Sequence, residues 1–193
     1  MLPGDLEQII QIHLESFTGF FLTFLGHDFL ALLYTGILND PDGLVLVAAS
    51  DGQLEGFVAG VTHQSGFYGR LIKKRKWAFA LATLGALFKR PAIVSRLARA
   101  LKRPAEASQS AAEACLMSIA VRPEAEDRGI GKQLIEAFCQ EMTERGVSAV
   151  CLTSDRDNNE RVNRFYQKCG FSLSRTFVTP EGRAMNEYLL SLK

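Results

Sequence analysis

Residues 116–134, LMSIAVRPEAEDRGIGKQL, run from an apolar stretch through Val121-Arg122-Pro123 and a loop to Gly129-Ile130-Gly131 and an amphipathic stretch. Glycines between a strand and a helix let backbone N–H groups converge without Cβ obstruction. A helix N-terminus adds unpaired donors and partial positive charge. This is the chemistry of an anion site suited to a pyrophosphate, with Arg128 and Lys132 adding charge beside it. A P-loop would need glycine at 126 and Ser or Thr at 133, where the chain has Glu126 and Gln133. A dinucleotide fingerprint would need a third glycine at the position of Leu134. Both of those phosphate readings fail.

A second motif, NNERVNRFYQKCGF at 158–171, follows one strand and one turn later. The series strand–GxG–helix–strand–N…FYxKxGF resembles the GNAT acetyltransferase superfamily, over about residues 113–178. The resemblance implies acetyl-CoA as co-substrate, no metal, and direct acetyl transfer to a small amine. It implies that the backbone of Ile119, Ala120 and Val121 pairs with the pantetheine arm like an added strand. The amides of Arg128, Gly129, Ile130, Gly131 and Lys132 would hold the pyrophosphate. Asn159 matches the asparagine that contacts the pantetheine or pyrophosphate region, and Tyr166 matches the general acid. The chain departs from the family at Glu126, where Gln or Arg is usual, and at Asp127, where glycine is common. Two acids disfavour a pyrophosphate; Arg128 and Lys132 are the residues expected to offset them.

Acyl transfer from a thioester needs a neutral amine, and a free alkylammonium has a pKa of roughly 10, so a base or proton path is required. Glu113 leads as base, because it starts the central strand on the alternating face of Cys115 and Met117. Asp155 and His63 are alternatives, and a water chain would need no single base. By spacing alone Tyr166 is a buried aromatic on a helix face; only the whole motif favours the acid role. His13 and His27 read as structural.

Positioning these residues requires an ordered set of elements. Apolar periodicity gives helices at 3–17 and 27–38, the latter stopped by Asn39-Asp40-Pro41-Asp42-Gly43. A hairpin follows, 44–49 and 54–62 about Asp51-Gly52. Strand 114–121 precedes a helix at 132–145 with Leu134, Ile135, Phe138 and Met142 inward and Gly146 as its cap. Strand 148–153 leads to a helix at 159–168 with Val162, Phe165, Tyr166 and Cys169 on one face. Strands 171–178 and 184–191 flank Pro180-Glu181-Gly182. With these elements, the resemblance implies one α/β domain over 1–193: a mixed, mostly antiparallel sheet whose two central parallel strands splay. A basic helical insertion at about 66–112 carries two helices broken at Arg90-Pro91, with a return over 104–112.

The formal charge is +1, with 22 Lys and Arg against 21 Asp and Glu, and 47% of residues are hydrophobic, which excludes a disordered chain. The charge is segregated. Residues 70–103 hold 11 basic side chains and no acidic one, leaving the remainder at −10. This segment reads as an amphipathic helical cover, a cap for an anionic acceptor, or a peripheral contact with an anionic membrane. One Trp, few basic–aromatic alternations and the −10 remainder argue against nucleic acid. FTGFFLTFLGHDFL resembles GNAT-like proteins of surface-polysaccharide synthesis, which implies an amino-sugar nucleotide acceptor. Cys115, Cys139, Cys151 and Cys169 form no CxxC pair and read as reduced thiols. The apolar run 77–88 is too short to cross a bilayer, and the start lacks the basic-then-apolar order of a signal peptide. The expected location is cytoplasmic.

Overall fold

Strand alternation and helical periodicity resolve into two faces of one sheet. The structure, a computed structural model, describes residues 4–89, 112, 114–180 and 182–192. Helices α1 (Asp5–Ser16), α2 (Phe21–Leu25) and α3 (His27–Leu38) come first. The hairpin β1 (Gly43–Ser50) and β2 (Gln53–Val61) follows, then α4 (Phe67–Lys89) and β3 (Ala114–Val121). The chain continues through α5 (Ile130–Glu144), β4 (Ala149–Asp155), α6 (Glu160–Lys168), β5 (Ser172–Val178) and β6 (Ala184–Ser191). The six strands lie in the order β1-β2-β3-β4-β6-β5, and only β3 and β4 are parallel.

The hairpin closes at Asp51 and Gly52, both at positive φ (52° and 79°), as a two-residue turn matched to strand twist requires. One face of the sheet packs on α1, α3 and α4 through Ile9, Ile10, Leu30, Tyr34, Phe57 and Phe67. The other packs on α5 and α6 through Leu134, Ile135, Phe138, Met142, Tyr166 and Tyr188. Each fully buried side chain of this size contributes about 1.5–3 kcal/mol, so both helical layers are held chiefly by these faces.

Two features shape the middle of the sheet. Partners run Ala59 to Ser118 and then Gly60 to Leu116, so Met117 is an extra residue in β3, a β-bulge. Beside it, β3 and β4 pair only at Ala114 with Val150 and Cys115 with Cys151. Beyond those two positions the strands have no paired residues and part, as the parallel pair was expected to do.

Three expectations change. The short helix α2 occupies an apolar stretch with no expected element. In α4 the helical backbone is interrupted at Arg75 (φ −138°, ψ 33°), earlier than the expected break at Arg90-Pro91, which lies outside the described residues. Val162, expected on the inner face of its helix, is exposed; that short helix buries only one stripe, centred on Tyr166. The return over 104–111 lies outside the described residues. Among the described residues no helix is long and apolar enough to cross a membrane.

Candidate functional site

The splay of β3 from β4 opens toward the C-terminal ends of both strands, and the loop after β3 closes one arm. The backbone N–H of Arg122 donates to Glu55 O (2.8 Å) and its Nε to Leu54 O (2.8 Å), which anchors this loop on β2. Pro123–Ala125 forms one 3₁₀ turn. Asp127 and Gly129 then take positive φ (60° and 79°) and turn the chain into α5. The first bond into the helix is from Gln133 N–H to Gly129 O (3.1 Å). The amides of Ile130, Gly131 and Lys132 therefore precede any intrahelical acceptor, and no side chain caps them. The glycine turn thus presents converging donors at the mouth of the splay. Ile119, Ala120 and Val121 form the β3 edge of the splay, on the stretch that β4 does not pair.

The second glycine has a role that sequence reasoning missed. A Cβ at Gly131 would stand 3.2 Å from Phe165 Cζ, so Gly131 lets α6 approach α5 across the cleft.

On the other arm, Asn159 precedes α6 and donates its side-chain N–H groups to Ser154 Oγ (2.7 Å) and Asp155 O (3.1 Å). Asn163 Nδ2 also donates to Asp155 O (3.0 Å). These bonds tie the start of α6 to the end of β4. Tyr166 is 8% exposed and packs against Phe165, Phe171 and Tyr188 with ring centroids 5.4–6.1 Å away. The Phe171 N–H returns to the Tyr166 carbonyl (3.1 Å) and locks the end of the helix. Burial pushes the Tyr166 phenol up, with a smaller contribution from the Cys169 thiol nearby.

The charges distribute differently from expectation. Arg128 pairs with Glu55, and with Gln8, Gln11 and Asp51 it lines an open groove of about 940 Å³. Lys132 pairs with Glu136 (3.4 Å), one helical turn on. The acids of the loop are met instead by Arg161 of α6, at 2.7 Å from Glu126 and 3.5 Å from Asp127. Sequence offered no signal for this pairing beyond the residue types.

The proposed bases separate. Glu113 lies outside the described residues. Asp155 is held at 2.7 Å by both of its oxygens on Arg183, whose guanidinium sits 5.2 Å above the Phe20 ring. His63 faces Asp42 (3.2 Å), which also binds Arg70 (2.6 Å) at the far end of β2. A carboxylate the sequence reading passed over, Glu187 of β6, is 4% exposed and bonded by Arg175 (2.8 and 3.0 Å). Its inward parity in AMNEYLLS was the available signal.

His13 is buried against Phe17 and Tyr34, with Nδ1 2.6 Å from the Tyr34 hydroxyl and Nε2 without a partner. Burial pushes its imidazole down to about 4. Among the described residues no disulfide joins the cysteines; Cys115 and Cys151 are buried and Cys139 and Cys169 half-buried. Among the described residues no group of three His, Cys, Asp or Glu could hold a metal.

On the basic segment, Trp77 is 74% and Leu81 67% exposed, one helical turn apart in α4. Lys76 Nζ lies 5.8 Å from the centre of the Trp77 ring. Between them, Phe79 is buried and meets Phe29 of α3 (ring centroids 5.2 Å).

A family model described as "Acetyltransferase (GNAT) family" matches residues 6–171. Among curated proteins no match is found. Solved structures are similar in fold. The ribosomal-protein-S18-alanine N-acetyltransferase from Escherichia coli is 15% identical, with 100% of this chain and 91% of that one covered, at a TM-score of 0.60. Ard1 from Thermoplasma volcanium is 18% identical, with 100% and 95% covered, at 0.63. An aminoglycoside 6'-N-acetyltransferase complexed with coenzyme A is 12% identical, with 100% and 93% covered, at 0.64.

Proposed function

The chain belongs to the GNAT acetyltransferase family, whose members use acetyl-CoA, and we propose that it moves the acetyl group directly to the amine of a small acceptor. The observation that carries this reading is the splay: two paired positions, then an open β3 edge ending in an uncapped glycine turn. In this reading the backbone of Ile119, Ala120 and Val121 receives the pantetheine amides. The amides from Arg128 to Lys132 receive the pyrophosphate. Asn159 holds α6 at the edge of that path.

The acceptor enters as an ammonium and must lose a proton before its nitrogen attacks the thioester carbonyl carbon. The tetrahedral intermediate then loses its ammonium proton to the same base or proton path, the C–S bond breaks, and CoA leaves as a thiolate that takes up a proton from water. Tyr166 is the group assigned to that sulfur. Its phenol, raised by burial, stays protonated at neutral pH. A thiol has a pKa of roughly 8.5, so such a phenol yields its proton against the gradient. Its contribution is therefore a hydrogen bond to charge developing on sulfur, strongest in the transition state. Glu113, which immediately precedes β3 in the sequence, remains the assigned base.

For the acceptor, the carboxylate-free segment 70–103 favours an anionic amine such as an amino-sugar nucleotide. Exposed Trp77 and Leu81 among Lys73, Arg75 and Lys76 favour a second role for the same segment, peripheral contact with an anionic membrane. The deciding experiment follows CoA release from acetyl-CoA over a panel of nucleotide amino sugars, aminoglycosides and simple amines. Turnover with the anionic amines is expected. Tight acetyl-CoA binding with no turnover on any amine would make the chain a CoA-binding protein instead.

A further inference from the structure

Among the described residues, three basic side chains at the glycine turn already have a carboxylate. Arg128 has Glu55, Lys132 has Glu136, and Arg161 has Glu126 and Asp127. The first two pairs each stay on one side of the cleft. The third crosses it, because Glu126 and Asp127 follow β3 whereas Arg161 sits in the first turn of α6, which follows β4. The contact therefore spans the mouth of the splay, where the pantetheine arm must pass to reach the strand edge.

The pair is weakly held. Arg161 is the most exposed of the three basic side chains, with 71% of its side chain in solvent, and Asp127 is almost fully exposed. Solvent-exposed pairs of this kind contribute little, so the guanidinium exchanges partners readily. A phosphate offers the planar fork of Arg two parallel, charge-assisted bonds and more negative charge than one carboxylate. We propose that Arg161 is a phosphate-binding arm that rests on Glu126 and Asp127 and exchanges them for a phosphate of CoA. The two acids that depart from the family pattern then have a function. They hold the arm in place and close the mouth while the cleft is empty, and they must be released for acetyl-CoA to enter. This inference rests on the glycine turn being the CoA cradle.

Calorimetric titration with acetyl-CoA tests it without requiring an acceptor. Arg161→Gln is expected to weaken binding about tenfold, the scale of one charge-assisted contact. Glu126→Gln with Asp127→Asn is expected to tighten it several-fold, by freeing the arm. The decisive variant adds Arg161→Gln to that double substitution. An arm that grips phosphate still shows the tenfold loss there. An arginine that only neutralises two acids has nothing left to neutralise, and a vanished effect overturns the proposal. Repeating the titration with acetyl-dephospho-CoA assigns the contact: an Arg161 effect lost places it on the 3′-phosphate, and one retained places it on the pyrophosphate. Wild-type protein that does not bind acetyl-CoA defeats the cradle itself, whereas tight binding indifferent to Arg161→Gln defeats only the arm.

Discussion

Around Gly129, three basic side chains face Glu55, Glu126, Asp127 and Glu136, and what remains to meet an anion is backbone and the one guanidinium, Arg161, proposed to change partners. Along 70–103, eleven basic side chains share their segment with no carboxylate, and what remains to meet an anion is net charge. On the proposed reading the first region would recognise by the placement of N–H groups, which salt screens little and a misplaced methyl group ruins. On the same reading the second would recognise by field, which tolerates side-chain changes and fades over about 10 Å at 0.1 M salt. A single formal charge of +1 conceals both.

The sharpest way to break the shape-dependent region is Gly60→Ala. Its Cβ would meet the Cys115 carbonyl oxygen at 2.4 Å and the Phe138 ring at 2.6 Å, beside the bulge and the last paired position of the splay. Denaturant melts should lose about 3 kcal/mol, and acetyl transfer should be lost with it. Unchanged stability would show that the middle of the sheet yields more than its packing suggests.

Tyr166→Phe probes chemistry in the same region without disturbing shape. We expect kcat to fall about a hundredfold while KM for acetyl-CoA stays within twofold. Equal kcat would remove Tyr166 from the reaction.

His13 separates the stability of the scaffold from the behaviour of either region. Its folded-state pKa of about 4 lies below the unfolded value of 6.5, so the unfolded chain binds the extra proton between those values. The stabilising contribution is complete above pH 6.5 and is lost as pH falls toward 4. At pH 5 the loss should reach about 2 kcal/mol. Parallel melts at pH 7.5 and 5.0 should show this difference in wild type and its absence in His13→Gln. A pH slope shared by both proteins would assign the effect elsewhere.

The smallest effect belongs to the field-dependent region. Trp77 is the only tryptophan, so its fluorescence reports on α4 alone. Vesicles containing anionic lipid should shift it to the blue, neutral vesicles should not, and 0.5 M salt should reverse the shift. Lys76→Gln should cost about 1 kcal/mol of this partitioning. An unshifted Trp77 on anionic vesicles would leave the soluble anionic acceptor as the partner for this segment.

Much of this arrangement was legible before any coordinates. Asp51-Gly52 between two apolar runs specifies a two-residue hairpin, and Leu134, Ile135, Phe138 and Met142 specify the inner stripe of α5. The glycine turn and the succession of elements around it follow from local pattern, and the splayed parallel pair from the resemblance to the GNAT superfamily. What escaped was set by encounters across the fold. The sequence KKRK continues a helix by propensity, yet the backbone departs from it at Arg75. Arg161 is separated from Glu126 by 35 residues and meets it only because the splay brings α6 beside the loop. Alternation marks Glu187 as inward but cannot supply Arg175 as its partner, which depends on the register of β5 against β6.

The extra residue at Met117 changes what β3 can be read to mean. Cys115 and Ala120, of opposite parity, both belong to the core under α1 and α3, while Leu116, Ile119 and Val121 face α5. The strand thus contains a phase slip, and its two halves count odd and even differently. Most surface loops absorb a gained or lost residue. Here deleting Met117 would join Leu116 to Ser118 in a regular ladder in which Ile119, Ala120 and Val121 keep their faces, whereas deleting a paired residue of β3 would exchange the faces of one half of the strand. The bulge is therefore the place where β3 can lose a residue and keep both faces, and a deletion at 117 should be tolerated sooner than one at any paired position of the strand.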